Sequence, residues 1–157
     1  MQKFFLKIWA VCTAVRNGTI VAQVHSEVCE VPLHGSETVM VVDDDDSMRK
    51  LVAATLKRYG YSILSARGGK RGIDCFRKRR DQIDLILTDI LMPGMNGPGM
   101  VDTILEEKPS MKVLFMTGYS ASVVLPTHLH KRFAVIEKPF TPESLARAVR
   151  ECLESCR

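Results

Sequence analysis

The chain has 157 residues, 46% of them hydrophobic and 25% charged, which suits one core of ordinary size with a short appendage. A formal charge of +4 with 6% aromatic residues offers no base-stacking surface, so composition gives no sign of a nucleic-acid binder. Five cysteines, odd in number and without a Cys-x-x-Cys pair, predict reduced thiols in a cytosolic protein rather than a disulfide framework.

The opening MQKFFLKIWAVCTAV puts a Lys before an apolar stretch, as a signal peptide does. Lys7 interrupts that stretch, however, and neither part reaches the length of a membrane span. Phe5, Ile8, Trp9 and Cys12 recur at helical spacing and predict an amphipathic helix. RNGTIVAQV then offers an Asn-Gly turn leading into alternating apolar residues, and PLHGSE reads as a linker. A boundary near Ser36 follows, dividing an appendage and linker over residues 1–37 from a domain over residues 38–157.

From Thr38 onward two periods alternate. Apolar runs at Val39–Val42, Ile83–Leu87, Val113–Met116 and Phe133–Ile136, with the weaker YSILSA, have the length of strands, and most are continuous enough to be covered on both faces. Between them lie helical patterns. Met48, Val52, Thr55, Leu56 and Tyr59 fall on one face that Gly60 closes, and the basic run from Arg67 to Arg80 reads as a solvated helix face. The last helix takes Thr141 as N-cap and Pro142 at its first position, and buries Leu145, Ala148, Val149, Cys152 and Leu153. Five strands each followed by a helix predict a doubly wound parallel α/β sheet, in which function gathers at the carboxyl ends of the strands.

Those ends carry unusual chemistry. The first strand runs into Asp43, Asp44, Asp45 and Asp46, the third ends in Asp89, the fourth in Thr117 and the fifth in Lys138. Neighbouring carboxylates a few Å apart repel by about 1 kcal/mol or more, and one lysine does not neutralise them all. A hard divalent cation does, and Mg²⁺ takes one or two carboxylates together with phosphate oxygens. Asp43 and Asp44 are therefore expected at a metal and Asp46 as the N-cap of the next helix.

VVDDDDSMRKLV, DLILTDILMPGMNG, VLFMTGYS and IEKPFTPESL together resemble the receiver domain of two-component response regulators, over about three quarters of the chain. The style of the second and third motifs is similar to receivers at the C-terminal end of hybrid sensor kinases. The resemblance implies the flavodoxin-like (βα)5 fold with strand order 2-1-3-4-5, the order found in the family's chemotaxis member. It also implies roles for individual residues. Asp89 matches the phosphoacceptor, supplied by a phosphohistidine on a histidine kinase or histidine phosphotransfer protein. Asp43, Asp44, Asp89 and the Leu91 backbone carbonyl match the protein ligands of Mg²⁺. Thr117 matches the switch hydroxyl and Lys138 the phosphate-pairing lysine, with a cis bond expected at Lys138-Pro139. Leu91 and Tyr119 match the positions past which water reaches the phosphoryl group.

The chain also departs from the family pattern. Val135 replaces the usual aromatic residue, which puts the coupling of the switch hydroxyl to a rotating ring in doubt, and Pro126 is expected to break or end the fourth helix. No effector or DNA-binding domain is expected after the last helix. AVRNGTIVAQVHSE resembles the closing hairpin of a kinase ATP-binding domain, without the glycine-rich ATP boxes. His25, His34, His128 and His130 show no metal spacing. Two other classes compete: an aspartate-nucleophile phosphatase of the haloacid dehalogenase type, in which Asp43, Asp45 and Ser47 form the opening motif, and a phosphorylation-independent interaction module.

Overall fold

The computed structural model describes residues 13–16, 19–22, 33–118 and 125–155. The expected helix around Phe5, Ile8, Trp9 and Cys12, and Tyr119 with it, lie outside the described residues. The chain divides into two compact units, Met1–Glu30 and Val31–Arg157. In the first, β1 (Thr13–Arg16) and β2 (Thr19–Ala22) pair antiparallel with Arg16 opposite Thr19. Asn17 and Gly18 separate them in sequence, the composition of a two-residue hairpin connection.

The second unit alternates β3 (Thr38–Val42), α1 (Asp46–Arg58), β4 (Ser62–Ala66), α2 (Gly69–Arg79), β5 (Leu85–Asp89) and α3 (Gly97–Glu107). It continues with β6 (Lys112–Thr117), α4 (Thr127–Arg132), β7 (Ala134–Glu137) and α5 (Pro142–Glu154). The five strands are parallel in the order β4-β3-β5-β6-β7, which is 2-1-3-4-5 counted from β3. The predicted topology is the observed one.

The continuous apolar run of β3 arises because its alternate residues serve two cores. Met40 and Val42 join Ile86, Phe115 and the buried faces of α2 and α3, with Leu125, Leu129 and Phe133 from around α4. Val39 and Val41 join Leu85, Leu87, Leu114 and Met116 against Val52 and Leu56 of α1 and Leu145 and Val149 of α5. The edge strands β4 and β7 are less buried, which is why their sequences alternate or read weakly.

Two local expectations shift. The third strand pairs from Leu85 rather than Ile83, because Asp84 is spent at its entrance: its carboxylate accepts the Thr38 N–H at 2.8 Å and its own N–H donates to the Thr38 carbonyl. Asp45, not Asp46, is the N-cap of α1; its backbone is extended and its carboxylate accepts the N–H groups of Ser47 and Met48 at 2.8 and 3.2 Å. Asp46 lies inside the first turn and pairs with Arg49 and Lys50. The segment before Pro126, where the expected fourth helix would end, lies outside the described residues; Pro126 itself precedes α4, its carbonyl accepting the N–H groups of Leu129 and His130.

The ends of the other helices follow the sequence. Gly60, at φ 90°, closes α1 by donating to the Lys57 carbonyl, while the Tyr61 N–H reaches the Leu56 carbonyl. Thr141 and Ser144 form a reciprocal capping box at the start of α5. At the other end of that helix Arg150 pairs with Glu37 at 2.7 Å, joining α5 to the residue that enters β3.

Candidate functional site

The parallel register brings the ends of β3, β5, β6 and β7 to one edge, where Asp43, Asp44, Asp89, Thr117 and Lys138 gather. Asp43 is 1% exposed, an environment in which an unpaired carboxylate is costly. It is fully engaged: Oδ1 accepts the Asp45 N–H at 2.8 Å and Oδ2 receives Lys138 Nζ at 3.2 Å. Lys138 Nζ also donates to Asp89 Oδ1 at 2.9 Å. The lysine is placed by its backbone, whose N–H donates to the Thr117 carbonyl at 2.7 Å, and it precedes a cis peptide bond to Pro139. Thr117 is 1% exposed at the end of β6.

The four consecutive aspartates divide their work. Asp43 and Asp44 turn into the site, Asp45 caps α1 and Asp46 lies outside as an ion-pair partner. Asp43, Asp44 and Asp89 each offer a carboxylate oxygen, all within 4.8 Å of one another, a hard-oxygen donor set suited to a small divalent cation. No other such group of His, Cys, Asp or Glu occurs among the described residues. Burial pushes the Asp89 carboxyl above its ordinary value; Lys138 opposes that, and the charges of Asp43 and Asp44 add to it. Burial acts to lower the Lys138 ammonium, but its hydrogen bond to Asp89 and the two carboxylates outweigh burial and hold it above its ordinary value.

The phosphatase alternative fails on this geometry. It needs Asp45 free to act on substrate, and the Asp45 carboxylate is occupied with the helix N-terminus. Leu91 lies beyond the end of β5 with its side chain 49% exposed. His128 is not isolated: its Nε2 lies 3.1 Å from Asp102 Oδ1, linking α4 to α3.

Two residues near the site fall within the quoted motifs but received no role from the sequence. Arg49 Nη1 donates to the Asp43 carbonyl at 2.8 Å. Gly97 packs so closely on β5 that a Cβ there would lie 2.1 Å from the Asp89 carbonyl oxygen.

Comparison with known proteins matches this architecture to the family described as the response regulator receiver domain, over residues 39–150. The chain belongs to that family. This receiver is 30% identical over 125 residues to the sensor kinase CckA of Brucella abortus, which matches 78% of this chain but only 13% of the kinase. It is 29% identical over 116 residues to the response regulator receiver protein CpdR of the same organism, covering 73% of this chain and 95% of CpdR. Among solved structures, the receiver domain of the hybrid histidine kinase CckA superposes with a TM-score of 0.64 at 26% identity, over 74% of this chain and 99% of that one. The chemotaxis response regulator CheY4 of Vibrio cholerae gives 0.67 at 27% identity, over 76% and 100%. The chain is thus a phosphoacceptor receiver of two-component phosphorelay signalling with the flavodoxin-like arrangement.

Proposed function

We propose that Asp89 accepts a phosphoryl group from a phosphohistidine carried by a histidine kinase or a histidine phosphotransfer protein. Asp43, Asp44, Asp89 and the Leu91 carbonyl hold Mg²⁺ in this reading. The observation that carries it is the convergence of Asp89 with two further carboxylate donors and the Lys138 ammonium at one strand edge.

The chemistry follows from those groups. An Asp89 carboxylate oxygen attacks the phosphorus in line, the P–N bond of the donor breaks, and its electron pair leaves on the imidazole nitrogen, which takes up a proton. An acyl phosphate on Asp89 results. Magnesium, when bound, neutralises charge on the transferring oxygens. Lys138, already hydrogen-bonded to Asp89, pairs with a phosphoryl oxygen, and Thr117 supplies a switch hydroxyl. The Lys138 backbone N–H is bonded to the Thr117 carbonyl, which ties the two strand ends together.

Leu51 on α1 and Leu91 beyond β5 are the exposed large hydrophobic side chains among the described residues, and both flank the acidic edge in sequence. Leu91, two residues after Asp89, supplies an apolar contact for the docking partner in this reading. No helix among the described residues is long and apolar enough to cross a membrane. A cytoplasmic location fits the reduced cysteines, and the domain acts as an acceptor rather than as an enzyme with its own substrate.

Incubation with phosphoramidate, whose P–N bond reproduces that of phosphohistidine, tests the reading. A gain of one phosphoryl group by intact mass, dependent on Mg²⁺, is expected; failure to label at millimolar donor with Mg²⁺ present contradicts it.

A further inference from the structure

Arg49 stands three residues into α1, and its side chain is only 12% exposed although it is charged. Nη1 donates to the Asp43 carbonyl at 2.8 Å, and Nη2 pairs with the Asp46 carboxylate. Asp43 is therefore held at each of its polar groups. Its N–H meets the Ala66 carbonyl at 3.4 Å, its two carboxylate oxygens meet Asp45 and Lys138, and its carbonyl meets Arg49.

Charge alone gives no reason for a guanidinium here, because a cation bound to the acidic loop disfavours a divalent cation at the same loop. Asp46 offsets that charge from the solvent side, which gives the fourth aspartate its use. What remains is geometry. The strand-end carbonyl needs a donor, and a rigid fork fixed at two points on the loop sets the direction in which Asp43 and Asp44 leave the backbone.

We propose that Arg49 is a positioning residue that clamps the Asp43 carbonyl to Asp46, so that the Asp43 and Asp44 carboxylates converge with Asp89 on one divalent cation. The proposal rests on the reading of these three aspartates as the metal site. Groups that orient ligands from outside the coordination sphere commonly change metal affinity by 10- to 100-fold.

Magnesium titrations of the unphosphorylated full chain, by calorimetry well below the melting temperature, test the clamp. Arg49→Met removes both the charge and the donors; its Mg²⁺ dissociation constant is expected to rise about tenfold. Arg49→Lys keeps the charge without the fork and is expected to fall between this variant and wild type. It also carries the comparison if Arg49→Met does not fold. A purely structural role lowers the melting temperature and leaves the dissociation constant unchanged, and a purely electrostatic role tightens Mg²⁺ binding in Arg49→Met. Either result overturns the clamp while leaving the metal site intact. Absence of Mg²⁺ binding by the wild type at several millimolar overturns the metal site and the clamp together.

Discussion

Lys138 Nζ lies 2.9 Å from Asp89 Oδ1, an ion pair between the ends of two strands that are not neighbours in the sheet. The same ammonium reaches Asp43 Oδ2 at 3.2 Å, so one lysine holds two largely buried carboxylates together.

Removing that lysine has a pH-dependent cost. The Asp89 carboxyl titrates above its unfolded value of 3.8, so the folded protein holds that proton more tightly and this contribution to stability falls as pH rises from 3.8 through the folded value. Lys138 titrates above 10.5; its contribution is fully present below 10.5 and is lost as pH rises through its folded value. In Lys138→Met the Asp89 carboxyl moves further up, because the charge that opposed burial is gone. Metal-free melting curves should show a loss of about 2 kcal/mol or more at pH 8 and clearly less at pH 5, where protonation relieves the uncompensated pair. An equal loss at both pH values contradicts the assigned pairing.

Much of this site was legible in the sequence, because strand ends in a parallel sheet are fixed by topology and the acidic, hydroxyl and basic residues fell on those ends. The helices α1 and α5 were legible for a similar reason, since a 3.6-residue period survives without any knowledge of neighbours. Assigning the helix cap to Asp46 missed by one residue, because capping is decided by backbone angles and the reach of a short side chain, and four identical residues in a row give no compositional cue. Pro126 stands directly before a helix, a place that suits a residue excluded from helix interiors. Arg49 and Gly97 fall within the quoted motifs, but their contacts were not legible. A side-chain fork that bends back to a strand carbonyl, and a backbone that approaches another backbone, leave no periodic pattern.

Asp44 is the least constrained of the site carboxylates: no described group hydrogen-bonds or ion-pairs with it. Asp44→Ala should therefore remove a repelling charge at little structural cost, leaving the metal-free melting temperature unchanged or raised. The wild type should melt higher in several millimolar Mg²⁺ and the variant should not. A magnesium-dependent rise that persists in Asp44→Ala contradicts its place at the metal.

Gly97 is required by its contact with Asp89. A Cβ at this position would meet the Asp89 carbonyl oxygen at 2.1 Å and the Asp89 carbonyl carbon at 3.1 Å, and the Gly97 N–H already donates to the Ile90 carbonyl at 3.0 Å. Gly97→Ala must push the Asp89 backbone. A stability loss of about 1–3 kcal/mol and slower labelling by acetyl phosphate are expected from melts and mass spectrometry. Wild-type behaviour in both would show that β5 yields freely.

The lifetime of the acyl phosphate should depend on Leu91. Its side chain is half exposed just beyond the acceptor and has no polar atom with which to orient an attacking water. Positioning supplies much of the rate of phosphoryl transfer, so hydrolysis is expected to be slow for a receiver. Leu91→Asn should shorten the lifetime, followed as loss of the phosphorylated mass with time. Decay in the wild type as fast as in the variant rules out this role for Leu91.

The most direct test of Asp89 as the acceptor is intact-mass spectrometry after incubation with acetyl phosphate and Mg²⁺, comparing the wild type with Asp89→Asn. One added phosphoryl group is expected on the wild type, lost when Mg²⁺ is chelated, and none on Asp89→Asn. Undiminished labelling of Asp89→Asn would contradict the assignment.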